Sequence, residues 1–390
     1  AAVAETLDAQ ANPASRETLA GEVPLLPIQA GFFAQHAPNR HHWNQALLLQ
    51  SGEALDEPAL EAALHALVAH HDALRLRFEP STNGEWTQTY AASESAQLLW
   101  TRNASASGEI EAICDEAQQS LNLTHGPLLR AMSIRLADGT ARLLLAIHHL
   151  AVDGVSWRVL LEDLQAAYEQ IRSGATPALP EKTASYGAWS MRLQEYARTK
   201  AVRETRDYWQ RIGETPAAIP LDHEQGDNTQ ASARQRTVTL DAATTRQLLK
   251  DAPSAYRTQV NDLLLVALGR ALCGWTKREA IRIDVEGHGR EDVFDDIDVS
   301  RTCGWFTTLF PVRLAPQGET GEAICRVKEA LRAIPARGLG FGALRHFGVE
   351  EDRAALSGIA PAQVVFNYLG QFDSSFDSNA SSGWQPASES

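Results

Sequence analysis

Two adjacent histidines provide the strongest chemical signal in this chain. His148 and His149 directly follow residues 143–147, a continuous apolar run that predicts a buried strand. A histidine at such a strand end lies on the rim of a cleft, where partial burial tunes its pKa for proton transfer near neutrality. Asp153, followed by Gly154, is expected to turn the next loop back and hold it through an ion pair. Taken alone, the pair also fits a structural role, or a metal site together with Asp153, although no further ligand cluster in the sequence supports the metal.

A carboxylate in the second half of the chain is another candidate for proton transfer. Glu286 follows a predicted strand at 281–285 and opens a glycine-containing segment. Apolar neighbours disfavour the charged carboxylate, so its pKa would rise toward the range of a proton carrier at neutral pH. Without further context, a solvated loop acid is the simpler interpretation. His288 ranks below it as a site candidate.

Composition excludes several classes of function. The 390 residues carry 35 Lys and Arg against 49 Asp and Glu, a formal net charge of −14, and no basic run that could form a nucleic-acid surface. The longest apolar stretches, 143–152 and 263–269, fall short of the roughly 18–20 residues needed to span a bilayer, and no secretory signal is visible, so a cytoplasmic location is expected. The cysteines at 114, 273, 303 and 325 form no CxxC pair, which favours free thiols over a zinc site or disulfides.

Periodicity predicts an alternation of helices and strands. Apolar spacing indicates helices at 56–71, along 160–171, through Trp189 and Trp209, at 263–272 and at 324–334. Strands are expected around 74–78 and at 143–147, 281–285, 306–314 and 364–368. Residues 1–22 are interpreted as a linker, and the Gly- and Pro-containing segment 173–180 as a boundary. The expected organisation is therefore two α/β lobes, 23–178 and 179–390.

Blocks spread along the chain resemble one family. Residues 148–154 read HHLAVDG, similar to the HHxxxDG signature of the condensation superfamily. Further blocks resemble its epimerisation branch in non-ribosomal peptide synthetases: LPIQ with two phenylalanines at 26–33, HHWNQ at 41–45, VSWR at 155–158, NDLL at 261–264, EGHGRE at 286–291, RTCGWFT at 301–307, GLGFG at 338–342 and FNYLGQ at 366–371. Condensation domains share HHxxxDG but lack EGHGRE and FNYLGQ, and a non-catalytic relative would have degraded HHxxxDG.

The resemblance implies a fold and a reaction. The fold would be two chloramphenicol-acetyltransferase-like lobes in a V around a central tunnel, a mixed α/β class. The reaction would be inversion of the Cα of an aminoacyl or peptidyl thioester through an enolate. His149 and Glu286 are implied as proton-transferring groups; the alternatives of two bases or of one base serving both faces, and the choice of the group that serves the L-form, stay open. Asn367 and Tyr368 are implied as tunnel-lining hydrogen-bond donors, although Tyr368 equally fits a partly buried core position.

Other motif residues are expected to be structural. Asp153 would pair with an arginine, Arg290 or Arg301, while His148 would pack inward and shape the loop. Gly154 would supply loop geometry, and Trp157, Trp305 and the glycines at 338, 340 and 342 would serve packing and backbone geometry.

Partners also follow from the resemblance. An upstream carrier domain, joined through the linker, would deliver the substrate on its 4′-phosphopantetheine arm, and a downstream condensation domain would take the product. No cofactor or metal bound by the chain itself is implied. The family continues past FNYLGQ with further strands, whereas the Ser-rich segment 377–383 is followed by the last residue at 390, so a truncated second lobe is expected. The alternatives are a condensation domain that forms amide bonds and a non-catalytic carrier-docking domain.

Overall fold

The structure is a computed structural model, and it describes residues 19–35, 37–82, 84–223, 226, 229–370 and 384–389. The strands within these ranges are β1 (Gly21–Val23), β2 (Asn44–Ser51), β3 (Leu76–Pro80), β4 (Trp86–Tyr90), β5 (Leu99–Ala104), β6 (Leu129–Leu136), β7 (Ala141–His148), β8 (Ile281–Gly287), β9 (Thr308–Leu314), β10 (Val365–Phe366) and β11 (Trp384–Pro386).

Helices separate most of these strands. They are α1 (Pro27–Ala34), α2 (Glu57–His70), α3 (Ile110–Gln119), α4 (Gly154–Arg172), α5 (Tyr186–Ala197), α6 (Lys200–Arg203), α7 (Arg206–Gly213), α8 (Ala242–Arg246), α9 (Ala252–Tyr256), α10 (Val260–Thr276), α11 (Thr320–Arg332), α12 (Leu339–Phe347) and α13 (Glu350–Ser357). A π-helical turn, Gln247–Asp251, joins α8 to α9. Within the described ranges, no helix combines the length and the apolar character needed to cross a bilayer.

The chain divides into two units, and each is interrupted in sequence. The first contains residues 19–193, 294–306 and the described residues after 368. The second contains residues 194–293 and 307–368. This division differs from the expected boundary at 178, because residues 294–306 and the end of the chain fall in the first unit. Residues 1–18 of the expected linker, and the Ser-rich segment 377–383, lie outside the described residues, whereas Gly21 and Glu22 belong to β1.

A five-stranded sheet in the order β11-β2-β7-β6-β5 forms the centre of the first unit. Strand β7 lies between β2 and β6, both antiparallel to it. Leu144 and Ala146 on β7 are buried because they pack in one core with Ile110 and Ala117 of α3. The predicted helix beginning at Asp56 is confirmed as α2, whose N-terminus is capped by the Asp56 side chain accepting from Ala59 N at 3.1 Å. Helix α2 packs against α4. A second sheet, β1-β4-β3, completes this unit.

The second unit is built around a three-stranded sheet in the order β10-β8-β9. Apolar side chains of β8, β9, α10 and α11 form its core, which confirms the apolar helix predicted around 263–272 and the strand predicted at 281–285. Two expectations need correction. The last strand spans only Val365–Phe366 rather than 364–368. The helix expected through Trp189 and Trp209 is divided into α5, α6 and α7.

Two threonines stand at the interruptions of that helical segment. The hydroxyls of Thr199 and Thr205 donate to the carbonyl oxygens of Tyr196, at 2.8 Å, and Val202, at 2.7 Å. Such local side-chain bonds compete with the helical ladder, which accounts for breaks that the apolar spacing did not reveal.

Candidate functional site

His149 begins a short 3₁₀ turn at the end of β7. Its backbone N–H donates to the Trp43 carbonyl at 2.8 Å, which continues the β2–β7 pairing by one residue beyond the sheet. The antiparallel register places Asn44 opposite His148 and Gln45 opposite Ile147. The position of the His149 Cα is therefore set by the sheet and not by the loop that follows.

Three groups surround the His149 ring. Nδ1 lies 2.8 Å from the Val152 carbonyl oxygen, and Nε2 lies 3.1 Å from Nε2 of Gln45. The Trp305 ring lies against one face, with ring centroids 4.4 Å apart and an interplanar angle of 35°. Burial lowers the pKa of His149, opposed in part by the hydrogen bond to Val152. Because a carbonyl only accepts, Nδ1 carries the ring proton and Nε2 keeps its lone pair, which makes Nε2 the basic atom of the ring.

His148 faces the interior and is fully buried. Its Nε2–H donates to the Arg40 carbonyl at 2.8 Å, and its Nδ1 accepts from Leu150 N at 3.2 Å. Burial lowers the pKa of His148 to about 4, so the ring is neutral near pH 7. Its two ring nitrogens bind backbone groups of two segments, one before β2 and one after β7, which gives His148 a positional role.

Asp153 caps α4 and binds a distant segment of the same unit. Its Oδ1 accepts from Ser156 N at 2.8 Å and from Ser156 Oγ at 2.7 Å, and its Oδ2 accepts from Phe306 N at 3.1 Å. Ser156 Oγ in turn accepts from Gly304 N at 3.1 Å. Gly154 is the first residue of α4. The cap of α4 thus holds residues 304–306, and with them the tryptophan that packs on His149.

Arg301 does not bind Asp153 and binds α4 elsewhere. It pairs with Asp163 at 2.6 Å and with Glu162 at 3.3 Å, so of the two arginines expected as the partner of Asp153, Arg301 is wrong and Arg290 stays a prediction. Asp163 also lies 2.9 Å from Nε2 of His71, and these two residues together with His70 are close enough to share a metal ion. The Asp163 carboxylate is already used by Arg301 and His71, which indicates a structural network tying the 301–306 segment to α4.

Arg290 and His288 lie together in the second unit, after β8. The Arg290 backbone N–H donates to Nδ1 of His288 at 3.0 Å, and Nε2 of His288 lies 3.2 Å from Glu291. Arg337 also pairs with Glu291 at 3.1 Å. His288 is exposed and Arg290 is half-buried. The loop that follows Glu286 is therefore held through Glu291, which forms an ion pair with Arg337 and contacts the ring of His288.

Glu286 lies within β8, one residue before its end, and not after the strand. It is opposite Leu309 of β9 and is half-buried. Burial raises its pKa, and among the described residues no group donates a hydrogen bond to its carboxylate. A desolvated carboxylate without a hydrogen-bond donor holds a proton more readily than an ordinary surface acid.

Asn367 and Tyr368 directly follow β10. Strand β10 runs parallel to β8, with Phe366 opposite Val285, so the carboxyl ends of the two strands lie side by side. Asn367, the next residue after Phe366, is therefore level with Glu286, the next residue after Val285. Asn367 is exposed and Tyr368 is half-buried. The second unit thus brings a carboxylate and two hydrogen-bonding side chains to one sheet edge.

The predicted residues fall into two groups. In the first unit, His148, His149, Asp153 and Gly154 share one loop, while Arg301 pairs further along α4. In the second unit, Glu286, Asn367 and Tyr368 share one sheet edge, with Arg290 in the following loop. Sequence reasoning gave no individual role to Gln45 and assigned Trp157 and Trp305 to packing; their contacts with the His149 environment depend on tertiary structure, and no local pattern signals them.

Comparison with known proteins identifies the family. The model of the condensation domain family matches residues 19–389. A linear gramicidin synthase polypeptide from Brevibacillus parabrevis is 45% identical over 378 residues, which cover 94% of this chain and 7% of that protein. Tyrocidine synthase 1 from Brevibacillus parabrevis is 39% identical over 364 residues, covering 91% of this chain and 33% of that protein. The chain therefore spans a small part of these relatives.

Solved structures agree with this assignment. The epimerization domain from the third module of tyrocidine synthetase B superposes with a TM-score of 0.88 and 35% identity, covering 97% of this chain and 85% of that chain. The X-domain from teicoplanin biosynthesis, with a TM-score of 0.70 and 21% identity over 88% of this chain and 76% of that chain, shows the shared fold alone. The resemblance inferred from the sequence blocks and the mixed α/β class are confirmed, and the chain belongs to the condensation-domain family.

Proposed function

We propose that the chain is an epimerisation domain of a non-ribosomal peptide synthetase, which inverts the Cα of an L-aminoacyl or peptidyl thioester. The similarity to a solved epimerization domain, 35% identity over 97% of this chain, carries the proposal. The EGHGRE and FNYLGQ blocks at 286–291 and 366–371 support it, since they resemble the epimerisation branch.

The proposed reaction consists of two proton transfers at one carbon. A base takes the Cα proton, and the electron pair of the broken C–H bond moves onto the thioester carbonyl oxygen to give an enolate. An acid then donates a proton to the other face of Cα, and the carbonyl reforms. Such chemistry needs a base, an acid and stabilisation of the enolate oxygen.

The states of His149 and Glu286 fit these two roles. A neutral His149 with its lone pair on Nε2 is ready to accept a proton, and burial, which lowers the pKa of this ring, keeps it in that state near pH 7. Burial raises the pKa of Glu286, which favours a carboxyl that can donate. We assign His149 to the L-substrate and Glu286 to the D-substrate, with exchange through solvent restoring both groups after each inversion.

Asn367 and Tyr368 are proposed to hold the substrate through hydrogen bonds to the enolate oxygen or to the pantetheine arm. The arm is part of the substrate and is carried by an upstream carrier domain in cis. A downstream condensation domain would consume the D-configured product. A Tyr368→Phe variant, which lacks only the hydroxyl, should slow inversion if this hydroxyl binds the enolate.

Deuterium exchange at Cα tests the reaction. An L-aminoacyl carrier is incubated with the domain in D₂O, and the released acid is examined for mass and chirality. Label together with a mixture of L and D product supports the epimerase. Unlabelled product overturns it, and an amide formed when a second, acceptor carrier is added would identify a condensation domain instead. Carrier binding without either product would identify a docking domain.

Single variants test the assignment of the two faces. Glu286→Gln should still exchange the Cα proton of the L-substrate, without inversion, and should lose exchange of the D-substrate. His149→Ala should show the opposite pattern. If Glu286→Gln exchanges only the D-substrate and His149→Ala only the L-substrate, the two roles are reversed. If either variant inverts Cα at the wild-type rate, the residue replaced in it is not a proton-transfer group.

A further inference from the structure

We propose that Gln45, oriented by Trp157, is a positioning residue that keeps the His149 ring neutral with its lone pair on Nε2. Its meaning for catalysis rests on the proposed function, whereas the state of the ring can be measured without any reaction.

The orientation of the Gln45 amide follows from its contact with Trp157. The indole Nε1–H of Trp157 lies 2.8 Å from Oε1 of Gln45. An indole nitrogen only donates, so the amide must present its oxygen to Trp157. The amide NH₂ therefore points the other way, toward Nε2 of His149 at 3.1 Å.

A donor at Nε2 settles the charge of the ring. The Gln45 NH₂ can bind Nε2 only when this nitrogen has a free lone pair. Protonation would place an N–H of His149 against the N–H of the amide, so the imidazolium loses this hydrogen bond and gains a repulsion. The Val152 carbonyl at 2.8 Å from Nδ1 requires the same tautomer from the opposite side. Two independent contacts thus select one form of the ring.

The elements that carry these groups are fixed. Gln45 is on β2, paired with Ile147 at the end of β7. Trp157 is in the first turn of α4 and is 7% exposed. Asp153 caps that turn through Ser156. The amide is therefore held from both sides by a strand and a capped helix, which restricts the side-chain rotations that would release it.

The charged groups near the ring act differently. Within the first unit, the Asp153 carboxylate favours protonation of His149, while burial opposes it more strongly. His148 is itself neutral, with a pKa lowered to about 4 by burial. The N–H of the Gln45 amide lowers the pKa of His149 further, in addition to burial. A substitution that puts an acceptor in place of this donor would raise the pKa instead.

The arrangement also has a cost for the reaction. Because Nε2 accepts from Gln45, this one hydrogen bond must break before Nε2 takes a proton from Cα, while the bond from Trp157 to the amide oxygen can remain. Gln45 therefore keeps the lone pair of Nε2 occupied until that bond is exchanged for the substrate. Replacing it should change kcat and KM in different proportions, unlike a general loss of folded protein.

Gln45→Glu reverses the contact with the fewest atoms changed. Its carboxylate can accept from both Trp157 and a protonated Nε2, so the pKa of His149 should rise by about 1–3 units, as expected for a new opposite charge. The exchange rate of the L-substrate should then reach half its maximum at a pH higher by a similar amount. Gln45→Met keeps the shape without the donor and should give a smaller rise.

Trp157→Phe tests whether the indole acts through the amide. In this variant the amide can rotate and offer its oxygen to Nε2, so the pKa of His149 should rise. In a Gln45→Met background, the same Trp157→Phe change should leave the pKa unaltered, since no amide remains to be oriented. Melting temperatures identify any variant that fails to fold.

Nuclear magnetic resonance of the histidine ring nitrogens provides the measurement, with the His149 signals assigned from His149→Ala. In the wild type we expect the Nδ1–H tautomer of His149 at neutral pH. The pKa of His149 should be highest in Gln45→Glu, intermediate in Gln45→Met and lowest in the wild type. An Nε2–H tautomer in the wild type, or an unchanged titration in Gln45→Glu, would overturn the proposal. Both results are independent of whether the wild type epimerises, so failure of the proposed function would be seen separately.

Discussion

Oδ2 of Asp153 accepts a hydrogen bond from the backbone N–H of Phe306 at 3.1 Å. The same carboxylate caps α4 through Ser156 N at 2.8 Å. One buried side chain therefore holds the loop after His149 and the segment that carries Trp305. The aspartate of the HHxxxDG motif has a structural task that this geometry explains without any contact with substrate.

Asp153→Ala should lower the free energy of unfolding by about 2–4 kcal/mol. The loss combines a helix cap, worth about 1 kcal/mol, with buried backbone N–H groups left unsatisfied, at about 1–3 kcal/mol each. Denaturant unfolding of the purified domain measures it. Asp56→Ala removes an exposed cap whose side chain, within the described part of the chain, accepts only from Ala59 N, and should cost about 1 kcal/mol. Equal losses in the two variants would contradict the role assigned to Asp153.

Trp305→Phe should be tolerated better than an ordinary large-to-small core change. Among the described residues nothing accepts a hydrogen bond from the buried Nε1 of Trp305, so the wild type carries an unsatisfied donor that phenylalanine lacks. We expect a change in unfolding free energy below about 1 kcal/mol, where removal of the whole ring by alanine costs about 3–5 kcal/mol.

Trp209→Phe is the matched control for this comparison. Nε1 of Trp209 is satisfied by Thr205 Oγ1 at 3.2 Å in a fully buried position. Trp209→Phe should therefore lower the free energy of unfolding by more than Trp305→Phe does. The reverse order in thermal and denaturant unfolding would show that Trp305 Nε1 has a partner in solution.

Glu286→Gln should not destabilise the protein at neutral pH. Burial raises the pKa of Glu286, so the folded chain binds a proton more tightly than the unfolded chain, and ionisation costs stability as the pH rises through this window. Glutamine has no charge to desolvate. The variant should equal or exceed the wild type in unfolding free energy at pH 7, and the difference should vanish below the ordinary carboxyl range.

This stability profile separates two interpretations of Glu286. A variant that is at least as stable but does not invert Cα indicates a carboxylate kept at a cost in stability for its chemistry. A clear loss of stability at pH 7 would instead assign Glu286 to structure.

The protein should lose stability between pH 6.5 and pH 4. Burial lowers the pKa of His148 from 6.5 to about 4, so in this range the unfolded chain binds a proton that the folded chain does not. The contribution of His148 is fully present above pH 6.5 and falls by about 3 kcal/mol on acidification. Burial lowers the pKa of His70 and His346 to about 4 as well, so they add to the slope.

His148→Asn isolates the share of this one ring. The slope of unfolding free energy against pH measures how many more protons the unfolded chain binds than the folded chain. Between pH 6.5 and pH 4 this number should be smaller by up to one in His148→Asn than in the wild type. An unchanged slope would mean that His148 is protonated or accessible in the folded chain.

Much of the secondary structure could be predicted because apolar spacing records it locally. The strand ending at His148, the helix capped by Asp56 and the apolar helix around Leu265 follow the expected periods closely. The membership of residues 294–306 in the first unit could not be predicted, since it depends on contacts such as Asp153 with Phe306. A local sequence pattern does not indicate which distant backbone N–H will donate to a given carboxylate.

The candidate site divides in the same way. The HHxxxDG motif singled out His149, but the tautomer of its ring depends on Val152 O, and its neutral state on the amide of Gln45. The orientation of that amide depends in turn on Trp157, which the sequence indicated only as a packing residue. A residue such as Trp157, which acts on His149 only through Gln45, can be recognised only from the three-dimensional structure.

The bond between Asp153 and Phe306 spans 153 residues of chain, and this separation affects how the protein is made. During synthesis at about 5–20 residues per second, Asp153 is added to the chain on the order of 8–30 s before Phe306. Throughout that interval the nascent chain lacks both the Phe306 N–H that Asp153 Oδ2 binds and the Trp305 ring that packs on His149. The first unit therefore cannot finish folding in the order of its sequence, and its last native contacts wait until part of the second unit has been translated.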